Sequence, residues 1–304
     1  MKCIVLGCGG SNGVPEVDCA CYVCASGDHL NKRSRSSIYI ETQSGIRVLV
    51  DTSPDLHMQA LRHGFSKIDA VIYTHAHYDH IGGIGDLKKL VHDDPSITVR
   101  SAAIASSANH DTVANHDINA HAMGGLSTKS KACNWYQSHY FQKQSIKDVP
   151  AFMDSTTESI VTACFPFAFR HSSDGLYKPL LRSVVFAGPF SFADLEITPF
   201  WQRHGKSFSY GFRFGNLAYS TDVNGFTDES ITTLQGVKVW IIDCTRYFHA
   251  PTHLSLEPML NAVAKVNPER VILTHMGHEI EYHEFKKILP LRIEPGYDGM
   301  VILC

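Results

Sequence analysis

The run Thr74-His75-Ala76-His77-Tyr78-Asp79-His80 constrains this chain more than any other stretch. Four side chains of metal-ligand type fall within six residues, and an apolar, β-rich segment at 69–74 leads straight into them. Ile81-Gly82-Gly83-Ile84-Gly85 follows, then a helix-like segment at 86–90. The pattern predicts strand, ligand loop, helix. Neutral imidazole is the commonest side-chain metal ligand, and a carboxylate beside three imidazoles suits zinc, manganese or iron. His75 and His77 can point to one side of the loop, while Asp79 and His80 face a second metal. Glycines just after the ligands let backbone pack close to the site. A solvated histidine-rich turn would need neither a buried strand before it nor partners downstream.

Such partners recur at one kind of place. Apolar runs predict strands at 3–6, 37–42, 47–51, 69–74, 151–154, 183–186, 194–200, 209–214, 216–222, 238–243, 270–275 and 299–303. Asp51, Thr74 before His75, His204, Asp222, Asp243 and His275 stand at or just past strand ends. In layered α/β folds, sites gather there, because loops from different strands meet. The strands at 37–42 and 47–51 read as a hairpin around Gln43-Ser44-Gly45. Pro54 starts a helix over 55–62 that Gly64 ends. Further helices run over 155–164 and from Thr252-His253 to Val266. Asp51 can orient a ligand histidine from behind, or serve a turn. The stretch from about 92 to 146 breaks the pattern, being rich in Ala, Ser, Asn and His with weak periodicity. It reads as an insertion, and its histidines (110, 116, 121 and 139) as surface groups, a lid or a subunit contact.

Composition sets the outer limits. A chain of 304 residues with 44% hydrophobic content can build a sizeable core, as one large domain or two smaller ones. A net charge of −3 gives no bulk attraction to nucleic acid or to an anionic membrane. Nine cysteines are too few for a disulfide scaffold of this length, and Cys19, Cys21 and Cys24 cluster as CxCxxC. Three thiolates so spaced can grip one metal in a reducing compartment, with a fourth ligand supplied from elsewhere in the chain. A glycine-rich loop at 7–15 permits close backbone approach to an anion or a metal site, or is a plain turn. Lys32-Arg33-Ser34-Arg35 is a solvated turn or a phosphate contact, since the arginine fork matches phosphate oxygens. The first strand is too short for a signal-peptide apolar region, and no run reaches about 18 apolar residues, so a cytoplasmic protein is expected.

The HxHxDH of residues 75–80, with His204, Asp222, His275 and the glycine-rich loop, resembles the metallo-β-lactamase superfamily. The CxCxxC, Thr274-His-Met-Gly-His278 and Gly296-Tyr-Asp-Gly-Met300 resemble, more narrowly, its PhnP-like phosphodiesterase branch. The resemblance covers nearly the whole chain outside about 92–147. It implies an α/β fold, a four-layer αββα sandwich. This would be a single domain over 1–304 with the inserted segment after the HxHxDH helix. It also implies two divalent ions, Zn or Mn, at one edge. His75, His77 and His204 would hold one, Asp79, His80 and His275 the other, and Asp222 would bridge them. A structural zinc would sit on Cys19, Cys21, Cys24 and His278. His253 matches the catalytic histidine of phosphodiesterase relatives, with Asp243 orienting it and Asp79 counted with the catalytic groups. His249 and Arg35 are candidate substrate contacts.

The expected activity is a metal-dependent phosphodiesterase, in which hydroxide held between the metals attacks phosphorus and His253 serves the leaving oxygen. The expected substrate is a small cyclic or nucleotide-like phosphodiester, with no membrane partner and a homodimer left open. A lactone or thioester hydrolase on the same site, and a non-catalytic metal-binding accessory protein resembling PqqB, are the alternatives. Near-neutral charge argues against tRNA.

Overall fold

The structure is a computed structural model that describes residues 1–91, 149–176 and 178–304. The inserted segment expected at about 92–147, with its four histidines, lies outside the described residues. Two mixed sheets form the frame. The first is seven-stranded, and its strands in chain order are β1 (Lys2–Gly7), β2 (Ser37–Glu41), β3 (Arg47–Val50), β4 (Ala70–Ile72), β5 (Val149–Met153), β6 (Leu181–Val185) and, at the far end of the chain, β15 (Val301–Leu303). In space the order is β15-β1-β2-β3-β4-β5-β6.

The second sheet contains β8 (Leu195–His204), β9 (Ser207–Phe214), β10 (Leu217–Ser220), β11 (Gly225–Phe226), β12 (Val239–Asp243), β13 (Arg270–Thr274) and β14 (Ile293–Pro295). Their order is β11-β8-β9-β10-β12-β13-β14, and β7 (Phe190–Phe192) pairs with β8. Each sheet is antiparallel in one half and parallel in the other. Parallel pairs need crossovers, and helices provide them: α2 (Leu56–His63) between β3 and β4, α6 (Asp228–Leu234) between β10 and β12, α7 (Leu256–Val266) between β12 and β13, and α8 (Tyr282–Ile288) between β13 and β14.

Alternation along the strands builds the layers. Ile38 and Ile40 of β2 join a buried cluster with Phe212, Ala218, Ile241 and Leu273 of the second sheet. Tyr39, between them in sequence, joins a separate cluster with Leu56 of α2 and Val161 of α4 (Ser155–Cys164). One set of side chains therefore fills the space between the sheets and the other the space under the helices, which makes a four-layer αββα sandwich. Truncating a fully buried residue such as Ile40 to Ala would cost about 2–5 kcal/mol.

Several local expectations change. Residues 201–204 continue β8 rather than forming a loop, so His204 is the last strand residue before a hairpin turned by Gly205 at φ 63°. Cross-strand pairing with β9 as far as His204↔Ser207 outweighs the local polarity of Gln202-Arg203-His204. Residues 84–89 make a 3-10 turn rather than an α-helix, and a one-turn helix, α3 (Tyr78–Ile81), carries Asp79 and His80. The helix expected from residue 252 begins only at Leu256 after Ser255, leaving His253 in the loop before it. The helix expected over 55–62 runs over Leu56–His63, with Asp55 as its boundary residue and Gly64 ending it. Two further one-turn helices are α1 (Tyr22–Ala25), between Cys21 and Ser26, and α5 (Pro166–Phe169). Among the described residues no helix is long and apolar enough to cross a membrane.

Candidate active site

Strand ends from the parallel halves of both sheets, joined by the end of antiparallel β8, meet at one edge. From β3, Asp51 follows; from β4 come His75 and His77, with Asp79 and His80 on α3. His204 ends β8, Asp222 follows β10, Asp243 ends β12 and His275 follows β13. His75, His77, His204 and Asp222 offer ligand atoms that lie within 4.8 Å of one another, and so do Asp79, His80, Asp222 and His275. Asp222 belongs to both groups.

The backbone is bent to allow this. Asp51, Asp222 and His275 all have left-handed backbone, with φ of 63°, 52° and 56°. That conformation costs a non-glycine residue about 1–2 kcal/mol, so surrounding contacts must fix it. Close approach does the rest at Gly83, after α3. A Cβ there would lie 2.1 Å from the Ser53 carbonyl, beneath the loop that carries Asp51.

Hydrogen bonds behind the rings decide which nitrogen faces the site. His80 Nδ1–H donates to Asp51 Oδ2 at 2.7 Å, which turns Nε2 toward Asp222 and Asp79. His75 Nδ1–H donates to Thr74 Oγ1 at 2.9 Å, and that hydroxyl donates to the Asp51 carboxylate at 2.9 Å. One buried carboxylate thus orients two histidines. His204 Nδ1–H donates to the Thr252 carbonyl at 2.8 Å, and its Nε2 lies 3.3 Å from His77 Nδ1. The Thr74 and Thr252 roles had no sequence signal beyond Thr74 adjoining His75.

The cluster has the chemistry of a cation site. His75 Nε2, Asp79 Oδ2, His80 Nε2 and Asp222 Oδ1 are buried and make no well-directed hydrogen bond in the protein, although His80 Nε2 lies 2.9 Å from Asp222 Oδ2 and 3.2 Å from Asp79 Oδ2. Orphaned polar atoms converging on shared points are costly unless something binds them. Burial pushes the His80 ring toward neutrality, yet Asp222, Asp79 and Asp51 overcome it and hold a proton there. Burial, then the neighbouring His80, keep His75 neutral, the form that ligates metal. Three carboxylates around one buried imidazole make a negative nest that two divalent cations would neutralise. The residues present therefore fit a dinuclear metal pair.

His253 stands against this cluster. Its ring stacks on His275 with centroids 4.6 Å apart at 14°, and meets His204 edge-on at 4.9 Å. Nδ1–H donates to Asp243 Oδ2 at 2.8 Å. Asp243 is fully buried and also accepts from Val223 N and Thr245 Oγ1. Burial lowers the His253 pKa, but Asp243 more than offsets this and carries it to about 9. Of the two expected substrate contacts, His249 is exposed in the loop before His253. Arg35 is engaged with Asp55, its Nη1 at 2.6 Å from Oδ1.

A second cluster lies beyond His275. Cys19, Cys21, Cys24 and His278 also offer ligand atoms within 4.8 Å of one another. His278 Nδ1 is 3.2 Å from Cys19 Sγ and 3.6 Å from Cys21 Sγ. The Cys24 backbone N–H donates to Cys21 Sγ and pulls that thiol down to about 6, while burial pushes Cys24 up to about 11. On the far side of the ring, His278 Nε2 lies 3.8 Å from the Glu16 carboxylate, a backing group the sequence did not single out. Three thiols and an imidazole suit zinc.

Comparison with known proteins agrees with this architecture. A model described as the β-lactamase superfamily domain matches residues 46–138 and 137–276. An octanoyltransferase of Porphyromonas gingivalis is 32% identical over 305 residues, 99% of this chain and 51% of that protein. The chain thus spans about half the length of this curated relative. A diphosphatase of the PhnP family superposes with a TM-score of 0.77 at 27% identity, covering 99% of this chain and 96% of that one. Zn(2+)-bound PqqB from Methylobacterium extorquens has a TM-score of 0.68 at 15% identity, with both chains covered in full, a likeness of fold. With the four-layer sandwich, the strand-end ligand clusters and the matching domain model in agreement, the chain belongs to the β-lactamase superfamily and has the metallo-β-lactamase fold.

Proposed function

We propose that this protein is a metal-dependent phosphodiesterase acting on a small cyclic or nucleotide-like substrate. The observation that carries the reading is the His253–Asp243 pair, seated against both active-site ligand clusters. His75, His77 and His204 would hold one cation, Asp79, His80 and His275 the second, and Asp222 both. When bound, such a pair supplies Lewis-acid charge for phosphate oxygens and a water that ionises near neutral pH. Zinc and manganese both suit these ligands.

The protein's own groups do the rest. Asp51 and Thr74 fix the rings of His80 and His75 before any substrate arrives, so no reorganisation is needed during reaction. Asp243 fixes the His253 tautomer with the proton on Nδ1, and Nε2 is left to pass a proton to the departing oxygen. Phosphodiesters have a poor leaving group unless it is protonated or its charge is stabilised, and this is the need the dyad meets. The diphosphatase likeness supports chemistry at phosphorus. A net charge of −3 does not favour a tRNA substrate.

A second reading, an acyl hydrolase for a lactone or thioester, is favoured by the relative named octanoyltransferase. One assay separates the readings. Wild type and His253→Gln, each with metal counted by mass spectrometry, are given bis(p-nitrophenyl) phosphate, a diphosphate diester and an octanoyl thioester with Mn²⁺ or Zn²⁺. Diester turnover that falls about 10²–10⁴-fold in the variant at unchanged metal content is expected. Thioester turnover alone would move the assignment to acyl chemistry. Full metal with no turnover would indicate the accessory role.

A further inference from the structure

Arg33 is the largest charged side chain buried in the described residues, 1% exposed, and it lies in no cluster so far assigned a function. Among the described residues no carboxylate is in ion-pair contact with it, and Asp298 and Glu281 act on it only from farther off. Its donors instead meet neutral oxygens: Nη1 donates to the Gly277 carbonyl at 3.3 Å, and Nη2 to the Ile280 carbonyl at 2.8 Å and to Asn31 Oδ1 at 3.1 Å. Its Nε finds no partner. Burying a guanidinium this way is expensive, and a structural role alone could be met by apolar packing. What the cost brings is a grip on residues 275–280.

That segment joins the two metal-type clusters. His275 belongs to the active-site cluster and His278 to the cysteine cluster, three residues apart. His275 has left-handed backbone, and the chain after it is held on several sides. Met276 N donates to the Cys8 carbonyl, Gly10 N to the Met276 carbonyl, and Gly277 N to the Thr245 carbonyl. Arg33 closes the remaining side through the two carbonyls. Its own backbone exchanges both hydrogen bonds with Val14, at 2.8 Å each, and Val14 packs on Val23 and Cys24. One residue therefore ties the cysteine loop, through its backbone, to the histidine loop, through its side chain.

We propose that Arg33 is a positioning residue that mechanically couples the cysteine-bound zinc to the His275-bound active-site metal. The proposal rests on the two-cluster metal reading above and deepens it. With Arg33 in place, the His275 ring is set for the cation it shares with Asp79, His80 and Asp222. Without it, the 275–280 segment relaxes and that one position weakens, while the position built from His75, His77 and His204 on other elements does not.

The test reads metal, not turnover. Protein stripped of active-site metal but retaining one zinc per chain is titrated with Mn²⁺, with free and bound Mn²⁺ followed by electron paramagnetic resonance. In Arg33→Met, one of the two Mn²⁺ dissociation constants should rise about 10–100-fold, the range seen when a group backing a ligand is lost. The other should stay within about twofold, and the exchange-coupled signal of a Mn pair should give way to that of isolated Mn²⁺. Arg33→Lys, which keeps the charge but loses the planar fork that spans the two carbonyls, should fall between. Should Arg33→Met not fold, Arg33→Lys carries the test alone. A folded variant with both constants unchanged would overturn the proposal. So would equal weakening of both Mn²⁺ positions together with loss of the zinc, which marks general destabilisation. Absence of any phosphodiesterase activity would sink the proposed reaction but leave these readouts intact.

Discussion

Replacing Asp51 by Asn tests whether one buried carboxylate sets both metal positions. Asp51 accepts from His80 Nδ1 at 2.7 Å, from Thr74 N at 2.9 Å and from Thr74 Oγ1 at 2.9 Å, and Thr74 Oγ1 in turn holds His75. Exchanging charged for neutral hydrogen bonds loses about 1 kcal/mol at each of three donors. Removing a carboxylate that burial already pushes toward its protonated form returns part of that loss. Metal-free stability should therefore change by no more than about 2 kcal/mol. Metal binding should suffer more. A group backing a ligand histidine is worth about 10–100-fold in affinity, or roughly 1.4–2.7 kcal/mol per metal. Over two metals this is about 3–5 kcal/mol of linked stability. At about 2 °C per kcal/mol for a chain of this size, the rise in Tm that excess Mn²⁺ brings should shrink by roughly 6–10 °C. Thermal melts with and without Mn²⁺, beside a Mn²⁺ titration, measure both quantities. An Asp51→Asn protein that binds both ions within twofold of wild type would refute the shared-carboxylate argument.

Other perturbations separate the remaining parts. Cys21→Ser should remove one zinc per chain by mass spectrometry and, through the 275–280 segment, weaken one Mn²⁺ position about 10-fold; retention of the zinc would exclude Cys21 as a ligand. Burial pushes the Asp298 carboxyl up to about 6 from an unfolded value near 3.8, so between those pH values the folded protein holds a proton the unfolded chain has lost. Its stabilisation is complete below about pH 4 and is lost as pH rises through 6, by up to about 3 kcal/mol. Urea unfolding of Asp298→Asn should show a flatter stability profile than wild type over pH 4–7, and parallel profiles would refute the shift. Gly83→Ala must displace the Ser53 carbonyl, only 2.1 Å from the new Cβ, and should cost about 1–3 kcal/mol in urea melts with a drop in metal affinity. Unchanged stability would mean that the loop beneath α3 yields freely.

Local patterns made the frame readable. Alternating or continuous apolar runs marked β1 to β4 and β12 to β13 because a strand's burial repeats every second residue, a signal carried within a few positions. The ligand types stood out for the same reason: HxHxDH packs four into six positions, and CxCxxC three into six. His204 was found as a residue but misplaced as an element, because β8 continues only by pairing with β9. The helix at 252 started late because the Thr252 carbonyl is occupied by His204, 48 residues earlier.

The sequence by itself determined which side chains could bind metal and that strand ends would carry them, since both follow from residue type and short-range period. Only the tertiary structure decided how those groups act together. It joined Asp51 to His80 across 29 residues, Cys19 to His278 across 259 and Arg33 to Ile280 across 247. It also bent Asp51, Asp222 and His275 into a backbone conformation that none of them prefers alone. Ring orientation, shared carboxylates and a buried arginine's carbonyl partners depend on contacts between distant strands, and no local pattern in a chain encodes which distant oxygen a donor will meet.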